Sequence, residues 1–159
     1  MLPETKLITI LIAASPILEL RGAIPYALAQ GISTLESYWL SIFGNILPVI
    51  PLFFFYKVMF DVLQNVPLAG RFFHWWNRRI ELKSDFVRTY GFIGLVMFVA
   101  IPFPTTGAWT GTLVAALLKF RFAKALCGII IGIMIAGIIV TLTTKGILSG
   151  MDRFFTTSF

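Results

Sequence analysis

Cysteine and histidine are nearly absent from this chain, with Cys127 and His74 each standing alone among 159 residues. One thiol makes no intrachain disulfide, and two isolated donors do not make a Cys/His metal centre, which takes three or four ligands. No metal and no cofactor is therefore expected. Catalytic constellations are missing as well. There is no Ser/His/Asp set and no Gly-Lys loop to cradle a phosphate, so the chain does not read as an enzyme. Charge is also scarce: 13% of residues are charged, against roughly 25% in soluble domains, too few to cover a water-facing surface.

What the chain has instead is apolar length. Hydrophobic residues make up 58% of it, and the mean hydropathy is +0.90. The uncharged runs Tyr38–Tyr56, Thr89–Leu118 and Ala125–Thr144 each reach the roughly 18 residues that mark a spanning candidate. The sequence reads as an integral membrane protein. Its net charge of +6 is clustered between apolar segments, the pattern of cytoplasmic loops rather than of a nucleic-acid-binding face. The start, MLPETKLITILIAAS, faintly imitates a signal peptide, but its acidic residue and Pro16 argue that it stays in the mature fold.

The apolar sequence is broken in matching places. The stretch Leu7–Leu18 is interrupted at Glu19-Leu20-Arg21-Gly22 and resumes over Ala23–Ile32. Neither piece alone spans the roughly 30 Å hydrocarbon core at about 1.5 Å per residue. A full span follows, Ser37–Phe60, carrying Gly44, Asn45, Pro48 and Pro51. The second half repeats the plan: Gly91–Ile101, a break at 102–107, Ala108–Leu118, a basic turn at 119–124 and a full span from Ala125. The expected organisation is a single membrane domain over 1–159, with repeat one at 5–60, an amphipathic connector at 61–90, repeat two at 91–148 and a short tail at 149–159. In this register Gly22-Ala23 lies over Gly107-Ala108, with Gly44 one residue from Gly128. In the connector, Phe72, Trp76, Ile80 and Val87 fall near one helical face, which suits a helix lying in the membrane interface.

Two topologies compete. If each broken stretch is a tilted span, the chain crosses four times and its positive charge is split between the two sides. If each is a re-entrant hairpin, only Ser37–Phe60 and Ala125–Thr144 cross. One side then collects Arg71, Arg78, Arg79, Lys83, Arg88, Lys119, Arg121 and Lys124, against Lys6, Lys145 and Arg153 opposite. The positive-inside rule favours the second. The expected fold is all-α, an inverted repeat of two re-entrant helix hairpins each followed by a transmembrane helix. It would lie in the cytoplasmic (inner) membrane with 61–90 and 119–124 cytoplasmic. Short segments interrupted by Gly or Pro at matching places in two halves point to a transporter's midplane site. The two tips are expected to meet there around a cavity, since unwound backbone survives at that depth only against protein or water.

An ionisable residue inside a membrane segment costs about 2.5–3.5 kcal/mol on insertion scales and marks function by default. Glu19 and Arg21 are the only two in the first broken stretch. Glu19 is the candidate proton carrier, because burial favours a neutral carboxyl and a nearby guanidinium a charged one. Arg21 offers a planar fork for phosphate or carboxylate. The competing reading is a salt bridge that only clasps the tip. Residues two apart on a helix face different sides, so that pairing needs the unwound backbone that Pro16, Gly22 and Pro25 permit. The second tip, shaped by Pro102 and Pro104, offers Thr105, Thr106, the Trp109 indole and N–H groups freed after Gly107. This is either an anion site at a helix N-terminus or simply a capped turn. Asn45 either faces the cavity or hydrogen-bonds across helices. The Gly128-x-x-x-Gly132 spacing, and the small number of segments available to seal a pathway, leave room for a homodimer.

The motifs ELRGAIP (19–25) and PFPTTGAWTG (102–111) resemble those of the small multi-drug export protein family, and the resemblance covers nearly the whole chain. That family is similar in turn to the DedA (VTT-domain) superfamily. The resemblance implies two re-entrant hairpins, each followed by a membrane helix, and proton-dependent movement of lipids that include polyprenyl phosphates. Glu19, Arg21, Gly22 and Pro25 match the first motif, and Pro102, Pro104, Thr105, Thr106, Gly107 and Trp109 the second. DedA families carry a further arginine and acidic group in the second half, and the second tip here has neither.

The function expected is proton-coupled transport of an anionic lipid or lipid-linked phosphate, with Glu19 exchanging the proton and Arg21, Asn45, Thr105, Thr106, Gly107 and Trp109 binding substrate. A proton-coupled small-molecule or multidrug exporter is the alternative, and a non-transporting scaffold or assembly factor a third reading. The partners expected are membrane lipids, an anionic headgroup or small-molecule substrate, and protons, with no nucleic acid.

Overall fold

A computed structural model describes residues 3–63, 87–101 and 106–157, which form helices and no strand. The helices are α1 (Pro3–Ala14), α2 (Glu19–Ala29), α3 (Thr34–Ile46), α4 (Val49–Leu63), α5 (Val87–Ala100), α6 (Ala108–Leu117) and α7 (Phe122–Thr157). The expected interfacial helix of the connector falls mostly on 64–86, outside the described residues.

Two stretches are long and apolar enough to cross a membrane: Thr34–Phe60, 27 residues made of α3 and most of α4, and Phe122–Gly150, 29 residues of α7. The first is broken at Leu47–Pro48. A proline has no N–H to give the carbonyl four residues back, so α3 ends there. Pro51 is tolerated because it sits in the first turn of α4. Along α3 the polarity is the reverse of a water-soluble helix. Leu35, Trp39, Phe43 and Leu47 are exposed, whereas Ser37, Ser41 and Asn45 are wholly buried. A surface of this kind suits lipid outside and polar groups inside.

The chain packs as two compact units, one of Met1–Asn45 with Met134–Phe159, the other of Ile46–Ile133. In the first, α1 and α2 pack against each other across a turn at 15–18. Ser15 ties this turn, its Oγ donating to the Ile12 carbonyl at 2.8 Å and accepting the Leu18 N–H at 3.2 Å. Helix α1 runs alongside α3. Lys6 and Glu36 pair near the starts of the two helices. Near their ends, a Cβ on Gly44 would lie 2.6 Å from the Ile10 carbonyl oxygen and 2.8 Å from Ala13 Cβ. The turn at 15–18 is therefore level with the end of α3. Tyr38 donates to the Met134 carbonyl at 3.1 Å, and Gly137 makes room for its ring.

In the second unit α4 packs on α6, and α5 lies against the start of α7. A Cβ on Gly132 would meet Val99 Cβ at 2.6 Å and the Val96 carbonyl at 2.9 Å, and one on Gly128 would meet Phe92 at 3.1 Å. The Gly128-x-x-x-Gly132 spacing is thus used inside the chain, where missing side chains let α5 approach, and it does not form an open face for a second copy.

The first break falls one turn earlier than the sequence suggests. Pro16 cannot continue α1, whereas Glu, Leu and Arg are good helix formers, so Glu19–Gly22 opens α2 instead of forming the gap. Gly22 and Pro25 lie inside α2, and only Pro16 is in the turn. Helices α2 and α6 end alike. Gly31, at φ +76, and Lys119, at φ +55, each follow their helix in left-handed conformation. The pairs Gly31 N–H to Leu28 with Ile32 N–H to Ala27, and Lys119 N–H to Ala116 with Phe120 N–H to Ala115, all span 3.0 Å. This is the Schellman cap. These two caps, like Gly44 and Gly132, stand 88 residues apart, where Gly22 and Gly107 stand 85 apart.

Candidate functional site

Glu19 is the first residue of α2 and only 7% exposed. Its φ of +49° lies where an L-residue with a β-carbon is strained by about 1–2 kcal/mol. A buried carboxyl held on a strained backbone is therefore the most unusual group in the first unit. Arg21, two residues on, is partly exposed and within electrostatic reach of Glu19. The positive φ takes Glu19 out of regular helical geometry, so the two-residue spacing need not send the charges to different sides. Gly22 lies close to Leu18, where a Cβ would come within 2.9 Å of the leucine's own.

Asn45 lies in the last turn of α3, next to the Gly44 contact with α1, and is fully buried. Neither of its amide atoms, nor the buried Ser41 hydroxyl one turn away, finds a hydrogen-bond partner among the described residues. Leaving such a group unmet costs about 1–3 kcal/mol. Ser37, one turn further back, donates to the Ile32 carbonyl at 3.3 Å. Ser37 and Ser41 were not anticipated as site residues. Their signal was in the sequence, as polar residues at i, i+4 and i+8 of an apolar run ending on Asn45.

The other candidates belong to the second unit. Thr106 donates through Oγ1 to the Ile101 carbonyl, just past the end of α5, at 2.7 Å. Gly107 is buried and precedes α6 with φ 163°, extended backbone that any residue adopts, and it has no side chain to cap the helix. Trp109 stands in the first turn of α6, partly buried. Pro102, Pro104 and Thr105 lie outside the described residues. Among the described residues no group of three or more His, Cys, Asp or Glu could hold a metal ion.

Apolar residues outward and polar ones inward along α3, with two helical stretches long enough to cross a bilayer, define the class: an all-helical membrane protein. The family follows from the sequence of those same helices. The family model described as "Putative small multi-drug export protein" matches residues 19–139, from Glu19 into α7, and the chain belongs to that family. Neither the curated proteins nor the solved structures contain a match to it.

Proposed function

We propose that this protein is a proton-coupled transporter of an anionic, phosphate-headed lipid, in which Glu19 exchanges the proton and Arg21 holds the headgroup. The observation that carries this reading is the buried, strained Glu19 acting on Arg21, at the foot of a helix pair whose turn is level with the end of α3. Ionisable residues within a membrane segment are expensive to keep and are retained where they serve transport. The same level supports α1–α2 as a re-entrant hairpin that enters and leaves on one side. The close contact of Gly132 with Val99 supports an equivalent role for α5–α6. Asn45 and Ser41 add polar atoms with unmet hydrogen-bonding capacity, suited to a passing polar group. The polar N-terminal turn of α6, with Thr106, Gly107 and Trp109, adds neutral donors of the kind an anion uses.

The test is transport by the purified protein in proteoliposomes carrying a pH gradient. A polyprenyl phosphate should change leaflets in step with proton movement. Glu19→Gln, shown to be folded by its thermal transition, should lose this activity by two orders of magnitude or more. Full activity in that variant would remove the proton role from Glu19.

The family description favours a second reading, proton-coupled export of small molecules. It predicts efflux of a cationic dye that is indifferent to added polyprenyl phosphate. Neither activity in folded protein would leave a scaffold or assembly role.

A further inference from the structure

Lys119 is a lysine where the backbone favours glycine. It ends α6 at φ +55° in the same cap that Gly31 makes after α2. A β-carbon is disfavoured in that conformation, and strain retained where the chain elsewhere uses glycine asks for a reason. The Ala116 and Ala115 carbonyls are already met by the N–H groups of Lys119 and Phe120, so the ammonium is not needed to cap them.

Its surroundings supply the reason. Lys119 lines a cavity of about 360 Å³ in the second unit together with Lys57 and Arg121. All three cations are exposed. The remaining lining is apolar and largely aromatic: Phe53 and Phe60 are buried, and the Phe122 ring lies 5.3 Å from that of Phe53 and 5.0 Å from that of Phe54. Among the described residues that line it, none is acidic. The cavity lies where α4 and α6 end and α7 begins, at the end of a membrane-crossing stretch.

We propose that this cavity binds a phosphate-headed lipid. The headgroup sits between Lys57, Lys119 and Arg121, and the first part of the chain lies against Phe53, Phe54 and Phe122. Arginine gives the phosphate a planar fork and the lysines give point charges, as in basic pockets that hold anionic headgroups beside membrane helices. The volume falls at the low end of ligand pockets, roughly 300–1,000 Å³, which suits a headgroup and the start of a chain. Free phosphate has no use for the aromatic floor, and a cationic compound is repelled by three like charges. The site uses neither Glu19 nor Arg21, so it stands apart from the transport reading.

The test uses the full chain in nanodiscs of neutral phosphatidylcholine, titrated with phosphatidylglycerol, with retained lipid read by native mass spectrometry. The wild type should retain phosphatidylglycerol over phosphatidylcholine. Lys119→Gly should bind it about fivefold more weakly, and the triple change Lys57→Gln, Lys119→Gly, Arg121→Gln about a hundredfold more weakly. Lys119→Gly should also melt at a higher temperature, because glycine relieves the left-handed strain. Lys57→Arg should keep the lipid, because the headgroup needs the charge at that position. Equal retention of the two lipids would overturn the proposal, as would unchanged binding in the folded triple variant. So would displacement by equimolar inorganic phosphate, which would make the cavity a free-anion site. A lower melting temperature for Lys119→Gly would overturn it too, by showing that the lysine serves the turn.

Discussion

Glu19 and Asn45 carry different kinds of cost in the same unit, a strained backbone under a buried acid and a buried amide with no hydrogen-bond partner among the described residues. The amide gives a direct test. Replacing a buried, unmet polar group by an apolar one of similar size removes its desolvation penalty. Asn45→Leu should therefore raise stability by about 1–3 kcal/mol in thermal unfolding in detergent, while transport falls. A lower melting temperature would mean that the amide has a partner in the folded protein. Two glycines give a second test by different physics. Gly44→Ala forces a methyl against the Ile10 carbonyl and Ala13, so it should cost about 1–3 kcal/mol by overpacking. Gly31→Ala meets nothing within 4 Å but keeps a φ of +76°, so its cost should be confined to the roughly 1–2 kcal/mol of left-handed strain.

Helices α1 and α5 are too short to span a membrane, and glycine lets α1 approach α3 and α5 approach α7. The contacts differ in how far they can yield. Gly132 faces Val99 Cβ and the Val96 carbonyl, groups fixed to the backbone, whereas Gly128 faces the ring of Phe92 and the side-chain end of Leu95. Gly132→Ala should therefore destabilise more than Gly128→Ala, with the order read from melting temperatures. Neither change should alter oligomeric state in detergent, because both positions are covered by α5. A shift in elution volume for Gly128→Ala alone would contradict this. The sequence showed the small-residue spacing but not its partner, since a Gly-x-x-x-Gly run is the same run whichever helix approaches it.

Sidedness is the question at the scale of the whole molecule. Hairpins that enter and leave on one side put the turn after α2 and the turn before α7 on opposite faces of the membrane, whereas four crossings put them on the same face. With Cys127 replaced by alanine, single cysteines at Gln30 and Arg121 should react with a membrane-impermeant maleimide from opposite sides. Labelling from one side only would favour four crossings. The two outcomes place the basic residues differently, and the net charge of +6 is concentrated enough for the positive-inside rule to choose between them.

Composition alone determined the class, because a chain with 58% hydrophobic residues and 13% charge cannot cover itself with polar surface and must meet lipid. Proline and glycine placed the breaks nearly right, since a missing N–H acts locally: α5 and α6 stop and start beside the second proline-rich segment as read, and the first break moved only by the turn that Pro16 imposes. ELRGAIP and PFPTTGAWTG carried the family. Other properties depend on residues far apart in sequence. Only the tertiary structure set the turn at 15–18 level with the end of α3, through Lys6 with Glu36 and Gly44 with Ile10. Only it turned Ser37, Ser41 and Asn45 inward, and gathered Lys57, Lys119 and Arg121 around an aromatic floor. The physical reason is range: hydropathy and backbone donors act within a few residues of their own segment, whereas burial and cavities arise from which segments come to lie side by side.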